Sequence, residues 1–184
     1  MAEHYLQRHL TPAVLAEQRR AYGRAQPVPA DAGPDPLGPK EAAFIAARDS
    51  FYIASLTEDG APYIQHRGGP VGFLRLLDAH TLAFADFGGN RQLLTVGHLS
   101  KDPWVALFLM DYPARRRLKI DGEAESLDAA DVEPALMELV RPADLDAALI
   151  ERVMLIRVAS FDWNCPQHIT PRYSEAEWRA RRLS

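Results

Sequence analysis

Cysteine is almost absent from this sequence of 184 residues, because Cys165 is the only one. A single thiol excludes an intrachain disulfide, which fits a reducing compartment. The sequence also lacks any apolar run near the roughly 20 residues that a membrane-spanning helix needs. Residues 1–18 carry scattered charges and have no apolar stretch typical of a secretory signal. We therefore expect a soluble, cytoplasmic protein without a membrane partner.

The sequence also has few lysines and no net positive charge. Only three of the 21 basic residues are lysine, and the formal net charge at pH 7 is −4. A chain of this charge is a poor general binder of nucleic acid, so we expect no nucleic-acid partner. The other basic residues are arginines, whose planar fork suits bidentate contacts with phosphate. Genomic composition bias explains the same arginine excess.

Proline separates two parts of the chain. Residues 1–24 have the pattern of a peripheral helix in which Thr11 acts as a cap. Residues 25–39 contain five prolines, as a linker or a surface loop does. We accordingly divide the chain into an N-terminal extension over 1–39 and one domain over 40–184, which ends in a loop and a helix.

Short apolar runs separated by turns dominate the domain. The pattern predicts helices over 40–48, 90–100, 129–140 and 174–182 and a candidate helix over 144–149. It also predicts hairpins over 51–67, 72–87 and 115–127, a strand over 104–110 buried on both faces, and a last strand over 152–163. About seven strands with few, short helices favour a mainly β (α+β) fold in which an antiparallel sheet closes into a barrel.

The stretch FADFGGNRQLL, residues 84–94, is the first candidate binding site. Gly88 and Gly89 allow a ligand to approach the backbone closely. Asn90 is a good N-cap for the predicted helix, and Arg91 adds a fork of hydrogen-bond donors. A helix N-terminus beside an arginine is a favourable site for phosphate. A plain capped turn with an incidental arginine has the same sequence, so both interpretations stay open.

Two further segments carry candidate binding residues. In QHRGGPVGFLR, residues 65–75, Arg67 and Arg75 could converge with Arg91 on one anion, or each could be a solvated surface arginine. In FDWNCPQHI, residues 161–169, an aromatic ring and amide groups suit contacts with a heteroaromatic ring.

Cys165 and His168 suggest two sharper possibilities within the late loop. One is a thiol nucleophile paired with the imidazole, and the other is a metal site. Neither has a recognised motif around it, so we expect no metal and take buried packing as the default for the thiol.

The order of these segments resembles the pyridoxamine 5′-phosphate oxidase-like family of flavin-binding split barrels, over about residues 40–173. The resemblance rests on FYIASLTEDGAPYIQHRGGP, FGGNRQLL, RRRLKIDGEAE and FDWNCPQHI, and the branch it is most similar to is rich in RGGP…GF, GNR and NCPQHI. It implies a six- to seven-stranded antiparallel split β-barrel with short flanking helices. It also implies an obligate homodimer that holds FMN in each of two clefts at the subunit interface.

The resemblance further implies which residues contact the flavin. Those at the phosphate and ribityl chain are Asp86, Asn90, Arg91 and Gln92, where Gln92 replaces a lysine common in the oxidases. Those on or before the preceding strand are Arg67, Gly68, Phe73, Leu74 and Arg75. Arg117 stands where the oxidases place a flavin-contacting glutamine. Trp163 and Gln167 belong to the late segment that reaches the flavin ring from the partner subunit.

By the same resemblance, the expected function is that of an FMN-dependent oxidoreductase. Reduced flavin would pass hydride or electrons to a small organic acceptor or to oxygen, with no catalytic side chain assigned. The oxidases carry an Arg-Leu-His-like segment after the late tryptophan, whereas this chain reads NCPQHITPRY, which argues against pyridoxamine phosphate as substrate. The alternatives are a flavin or haem carrier or sensor without turnover, and a cofactor-free dimer.

Overall fold

A computed structural model of the protein describes residues 3–30, 33–143 and 146–182. Within these residues the chain forms six α-helices and seven β-strands. The helices are α1 (Glu3–His9), α2 (Pro12–Tyr22), α3 (Pro39–Ala46), α4 (Leu94–Leu99), α5 (Pro134–Val140) and α6 (Glu175–Arg182). The strands are β1 (Ser50–Leu56), β2 (Pro62–Gly68), β3 (Arg75–Asp78), β4 (Thr81–Phe87), β5 (Trp104–Asp111), β6 (Arg116–Asp128) and β7 (Ile150–Trp163).

All seven strands belong to one antiparallel sheet in the order β2-β1-β5-β6-β7-β4-β3. The long strands β6 and β7 pair in the middle of this order, and register shifts interrupt the ladders of β7 with both of its neighbours. Such bulges bend strands and increase their twist, which curls the sheet around its core. The mainly β (α+β) split barrel with short flanking helices is therefore confirmed.

Alternation of side chains along the strands places the core inside the curled sheet. On β1, for example, Phe51 and Ile53 are each 1% exposed, whereas Tyr52 between them is 39% exposed. Successive residues of a strand point to opposite faces, so one face of each strand fills the core. A smaller apolar cluster lies where α5 covers β4 and β7; its buried members are Ala83, Ala85, Val140, Ile150 and Val153.

The N-terminal extension contains two helices, so the predicted single helix over 1–24 is wrong. The helices break before Thr11, whose hydroxyl accepts a hydrogen bond from the backbone N–H of Val14 at 3.4 Å. Thr11 thus caps α2, as the sequence suggested, but it begins a second helix. Helix α1 is held to the body by the carboxylate of Asp35, which accepts from the N–H of Tyr5 at 3.1 Å. Helix α2 buries none of its residues.

The predicted third hairpin over 115–127 is wrong, because β6 runs as one strand through Asp121 and Gly122. A Cβ on Gly122 would lie only 2.4 Å from the backbone oxygen of Arg157 on β7. The glycine therefore permits a close approach of two strands, where the sequence suggested a turn. The ladder between β6 and β7 shifts register at this point, as in a β-bulge.

Other predicted elements differ in extent. Strand β5 is buried on one face only, since Val105 and Leu107 are buried while Ala106 is exposed; the expectation of two buried faces is wrong for this chain. The helix expected over 129–140 divides into a 3₁₀ turn and α5, because Pro134 begins a new helix. The candidate helix over 144–149 begins outside the described residues, and its last three residues form a 3₁₀ turn.

Candidate functional site

A cavity of about 270 Å³ opens where β4 ends, between β2, α4 and the start of β7. Its lining combines arginines, carboxylates and amides with a few apolar residues. Six of the residues singled out in the sequence line it: Arg67, Asp86, Gly89, Asn90, Arg91 and Gln92. The lining also includes Tyr63, Gln65, Thr95, Glu151 and Arg152, which the sequence did not single out. We refer to this space as the Asp86 cavity.

A chain of alternating charges crosses the floor of the Asp86 cavity. Asp86 is 7% exposed, and its Oδ1 accepts a hydrogen bond from Nη1 of Arg67 at 2.7 Å. Its Oδ2 lies 3.5 Å from Nε of Arg152, and Nη2 of Arg152 lies 2.5 Å from Oε2 of Glu151. The side chains of Arg67 and Arg152 are only 17% and 13% exposed. Asp86 therefore holds two largely buried guanidinium groups in fixed positions.

Nothing in the sequence pointed to Arg152, because only the register between β4 and β7 brings it beside Asp86. The two residues are direct partners in the ladder between β4 and β7. Neighbouring strands bring opposite side chains within about 5.5 Å of each other, so an opposite charge across a ladder is a usable signal once the pairing is known. The Nε atoms of Arg67 and Arg152 are buried and have no hydrogen-bond partner among the described residues.

The turn between β4 and α4 differs from the predicted helix cap. Helix α4 begins at Leu94, after Leu93 in a left-handed conformation (φ 51°), so Asn90 does not cap it. Instead Oδ1 of Asn90 accepts from the N–H of Gln92 at 3.1 Å, and its Nδ2 donates to Oε1 of Gln92 at 3.0 Å. An asparagine side chain readily accepts a hydrogen bond from the backbone N–H two residues later. Asn90 makes this bond and does not cap the helix. The turn that holds Asn90 and Arg91 is therefore not a capped helix N-terminus.

Arg91 is the third arginine of the cavity and differs from the other two. It is exposed, adopts φ 62°, and has no side-chain partner among the described residues. A left-handed conformation is uncommon outside glycine and tends to occur where binding or tight turns require it. Arg91 is therefore the cationic group of the cavity most available to a ligand.

The opposite wall of the cavity is tied to the β1–β2 hairpin through α4. Oγ1 of Thr95 donates to Oε1 of Gln65 at 2.9 Å. On the next turn of α4, Nδ1 of His98 lies 2.9 Å from Oγ of Ser55, and its ring packs edge-on against Tyr63 with centroids 5.1 Å apart. These contacts hold the polar groups of β2 against the cavity.

The residues expected on or before β3 are divided between the core and a smaller cavity. Gly68 and Phe73 border a space of about 190 Å³ that adjoins Arg67 and Asp86. Phe73 stacks on Phe51 with centroids 5.6 Å apart. Leu74 is 1% exposed within the core.

Arg75 does not join the other two arginines predicted to converge with it. It does not line the Asp86 cavity, and its buried Nε has no hydrogen-bond partner among the described residues. Of the three arginines expected around one anion, the structure brings together Arg67 and Arg91.

Arg117, Trp163 and Gln167 form a second group, far from the Asp86 cavity along the chain. Trp163 is the last residue of β7, and Arg152 lies near its start. The eleven positions between them, at roughly 3.3 Å per residue, make about 36 Å along the strand. Arg117 precedes the residue that pairs with Trp163. Gln167 is exposed in the following loop. Within one chain these residues and the Asp86 cavity are separate.

The indole of Trp163 already has partners in its own chain. Its Nε1–H donates to Oε1 of Glu41 at 2.6 Å, and the ammonium of Lys40 lies 4.2 Å from its ring centroid. Phe44 packs edge-on against it at 4.8 Å between centroids. These contacts fix the orientation of the indole at the end of β7.

The face of β6 that carries Arg117 also carries Lys119 and lies under α1. Burial lowers the pKa of Lys119, but hydrogen bonds and charges from Tyr5 and Asp162 raise it by more, so the pKa lies above its ordinary value. Nζ of Lys119 is 3.3 Å from Oδ2 of Asp162. Tyr5 of helix α1 therefore provides a partner for Lys119, which lies two residues from Arg117 on the same face of β6.

Cys165 is exposed, so the expectation of buried packing is wrong for this chain. Its loop leaves the end of β7 without covering the thiol. No group of three or more His, Cys, Asp or Glu residues in the described part of the chain is arranged to hold a metal ion. None of the helices there is long and apolar enough to cross a membrane.

Comparisons with known proteins agree with this architecture. The family model described as pyridoxamine 5′-phosphate oxidase matches residues 37–155, and no curated protein matches the sequence. HupZ from Group A Streptococcus has a similar fold, with a TM-score of 0.54 and 15% identity over 74% of this chain and 100% of that one. A Lactobacillus delbrueckii protein titled as such an oxidase has a TM-score of 0.53 and 16% identity over 70% and 94%.

Proposed function

Because the chain belongs to the pyridoxamine 5′-phosphate oxidase family, we propose that it binds FMN with the phosphate in the Asp86 cavity and acts as a flavin-dependent oxidoreductase. The observation that carries the proposal is the pair of buried arginines held by Asp86, beside an exposed and unpaired Arg91. When bound, the flavin would supply hydride or electron transfer to a small organic acceptor or to oxygen.

The charges of the cavity suit a phosphate monoester. Three arginines and two carboxylates line it, which leaves one positive charge in excess. The buried Nε of Arg67 makes no hydrogen bond among the described residues, and that of Arg152 has only the carboxylate of Asp86 nearby, at 3.5 Å. Beside them, a Cβ on Gly89 would meet nothing within 4 Å, so a ligand has room against this backbone. Charge-assisted contacts from arginine are among the strongest that a phosphate can receive.

The remaining candidates at the cavity would bind the uncharged part of the cofactor. The amides of Asn90 and Gln92 lie at the exposed rim, where they can exchange their mutual hydrogen bond for bonds to ribityl hydroxyls. Gly68 and Phe73 border the adjoining smaller cavity, and this continues the site toward β3. Leu74 and Arg75 follow Phe73 in the chain, where Leu74 is buried in the core and Arg75 begins β3.

The size of the cavity favours a site shared by two chains. A pocket that encloses a drug-sized ligand usually has about 300–1,000 Å³, whereas the Asp86 cavity has about 270 Å³. It has room for the phosphate and ribityl chain, and we propose that the flavin ring lies outside it. We propose a homodimer in which Arg117, Trp163 and Gln167 of the second copy approach that ring. The outer face of the β1–β2 hairpin offers apolar surface for such contact through Tyr52, Leu56 and Ile64.

Titration of the apo-protein with FMN tests the proposal, with Arg91→Asn as the variant. Asparagine tolerates the left-handed backbone of this position better than alanine does. Loss of a hydrogen bond to a charged group, worth about 1.5–3 kcal/mol, should weaken FMN binding by roughly ten- to over a hundred-fold. Arg115→Asn is the matched control, because Arg115 is also exposed and adopts φ 53° away from the cavity.

Three outcomes of this titration would change the proposal. Equal FMN affinity in Arg91→Asn and Arg115→Asn would place the phosphate elsewhere. Absence of FMN binding by the wild type would remove the flavin assignment altogether. Tight FMN binding without turnover of any reductant would leave a flavin carrier in place of an enzyme. Sedimentation that shows only a mass near 20.5 kDa would contradict the dimer.

A further inference from the structure

Glu151 is a carboxylate inside a cavity proposed to bind an anion, and strand register explains why it is there. Asp86 pairs with Arg152, and the next residue of β4, Phe87, pairs with Ile150. Glu151 is thus the extra residue of a bulge and has no partner on β4. Bulges redirect side chains in this way, and Glu151 joins the lining of the cavity.

The carboxylate of Glu151 fills space that a bound anion would use. Its Oε2 lies 2.5 Å from Nη2 of Arg152. Its Oε1 would lie 2.8 Å from a Cβ on Gly88, so it rests close against the glycine backbone of the turn. Together, Arg67, Asp86, Arg152 and Glu151 form a row of alternating charges with no net charge.

The two carboxylates of the row differ in how easily they can leave it. Asp86 is buried between two arginines, whereas the side chain of Glu151 is 46% exposed and contacts one. An exposed ion pair contributes little free energy, because water screens it and the side chain gains freedom on release. An anion that reaches Arg152 can therefore displace Glu151, while Asp86 stays.

We infer that Glu151 is a built-in competitor of the ligand's phosphate for Arg152, which lowers the affinity for phosphate-bearing ligands and leaves the affinity for the same ligand without phosphate unchanged. The inference rests on the proposed function, since it takes the Asp86 cavity as the phosphate site. Glu151 would thus set how tightly the phosphate is held, and hence how readily the flavin exchanges.

Dissociation constants of FMN, riboflavin and inorganic phosphate for the apo-protein test the inference, with Glu151→Gln as the variant. Glu125→Gln is the matched control. Glu125 is 50% exposed, lies 3.7 Å from Arg157 of the same strand β7, and is outside the cavity. Both substitutions remove one negative charge from a half-exposed carboxylate, so the change in total charge is equal.

Glu151→Gln should bind FMN and phosphate about two- to fivefold more tightly than Glu125→Gln at low ionic strength, which corresponds to the worth of an exposed ion pair. The gain should shrink at high salt because screening weakens the competition. Riboflavin affinity should not change. Equal FMN affinities in the two variants, weaker FMN binding in Glu151→Gln, or an equal gain for riboflavin would overturn the inference.

The two proposals fail in distinguishable ways. If wild-type protein binds FMN but the two glutamine variants do not differ, the inference fails and the flavin assignment stands. If wild-type protein binds no FMN but Glu151→Gln gains affinity for inorganic phosphate, the flavin assignment fails and the competition stands. If neither FMN nor phosphate binds to any form, both proposals are wrong.

Discussion

Replacing Asp86 with asparagine should destabilise the fold far more than a typical single substitution. The carboxylate is 7% exposed and bridges Arg67 at 2.7 Å and Arg152 at 3.5 Å. Asparagine keeps the shape but not the charge, so Arg67 stays buried without a counter-charge and Arg152 keeps only Glu151. That is the situation in which burial of a charge is most unfavourable.

The size of the effect follows from the burial of the arginines. Their side chains are 17% and 13% exposed, so solvent screens the lost attraction only slightly. Removing one partner of a buried ion pair costs about 3–5 kcal/mol. A domain of this size has a total free energy of unfolding of about 5–15 kcal/mol. We therefore expect Asp86→Asn to lower the free energy of unfolding by about 3–5 kcal/mol.

Urea denaturation followed by circular dichroism measures this loss, and Asp111→Asn is the matched control. Asp111 is also 7% exposed and contacts two arginines, Arg48 at 3.2 Å and Arg116 at 3.3 Å. Arg116 is 50% exposed, so the control should lose less stability. Phosphate at fixed ionic strength should restore part of the loss in Asp86→Asn, because the anion can replace the missing charge beside Arg67 and Arg152. It should restore none in Asp111→Asn.

A loss below about 1 kcal/mol in Asp86→Asn would refute this reasoning, because it would match the worth of an exposed pair. The arginines would then be solvated once Asp86 is neutral, and the cavity would have no fixed cationic floor. Equal responses of both variants to phosphate would show a general salt effect, in place of binding at the Asp86 cavity.

Two other substitutions test features on which the sequence and the structure disagreed. Gly122→Ala should lower the free energy of unfolding by at least the 1–3 kcal/mol typical of overpacking, because its Cβ would lie 2.4 Å from the backbone oxygen of Arg157; Gly89→Ala, with nothing within 4 Å, is the control in the same denaturation assay. Cys165→Ser should retain wild-type stability and FMN affinity, since the thiol is exposed, and a loss of FMN binding on titration would show that the thiol contacts the cofactor.

Local patterns predicted the strands well wherever turns and alternation agreed. The hairpin expected over 72–87 forms β3 (Arg75–Asp78) and β4 (Thr81–Phe87), because a short polar turn separates two apolar runs. The failures came where one residue has two local uses. The pair Asp121-Gly122 is typical of a turn, yet the glycine allows β6 to approach the backbone of Arg157 on β7. Asn90 reads as a cap, yet it bonds its own turn.

The candidate site was predictable in its local residues and not in its long-range ones. Arg67, Asp86 and Arg91 stand in or beside glycine-rich turns, which made them visible in the sequence. Arg152 and Glu151 lie on a strand about 65 positions later and have no local motif. Their roles depend on the pairing of β4 with β7 and on one bulge in that ladder. Register of this kind is decided by the packing of the whole sheet, so a single sequence does not reveal it.

Strand β7 explains why the candidate residues fall into two groups. It carries Arg152 at the Asp86 cavity and Trp163 at its far end, about 36 Å away along the strand at the usual rise. Pairing with β4 fixes the first, and Glu41 of α3 fixes the second at 2.6 Å. We propose that the two ends of β7 therefore contact different flavins. In the proposed homodimer, each β7 would serve the phosphate of one flavin with its start and the ring of the other with its end, so dimerisation and flavin binding would depend on each other.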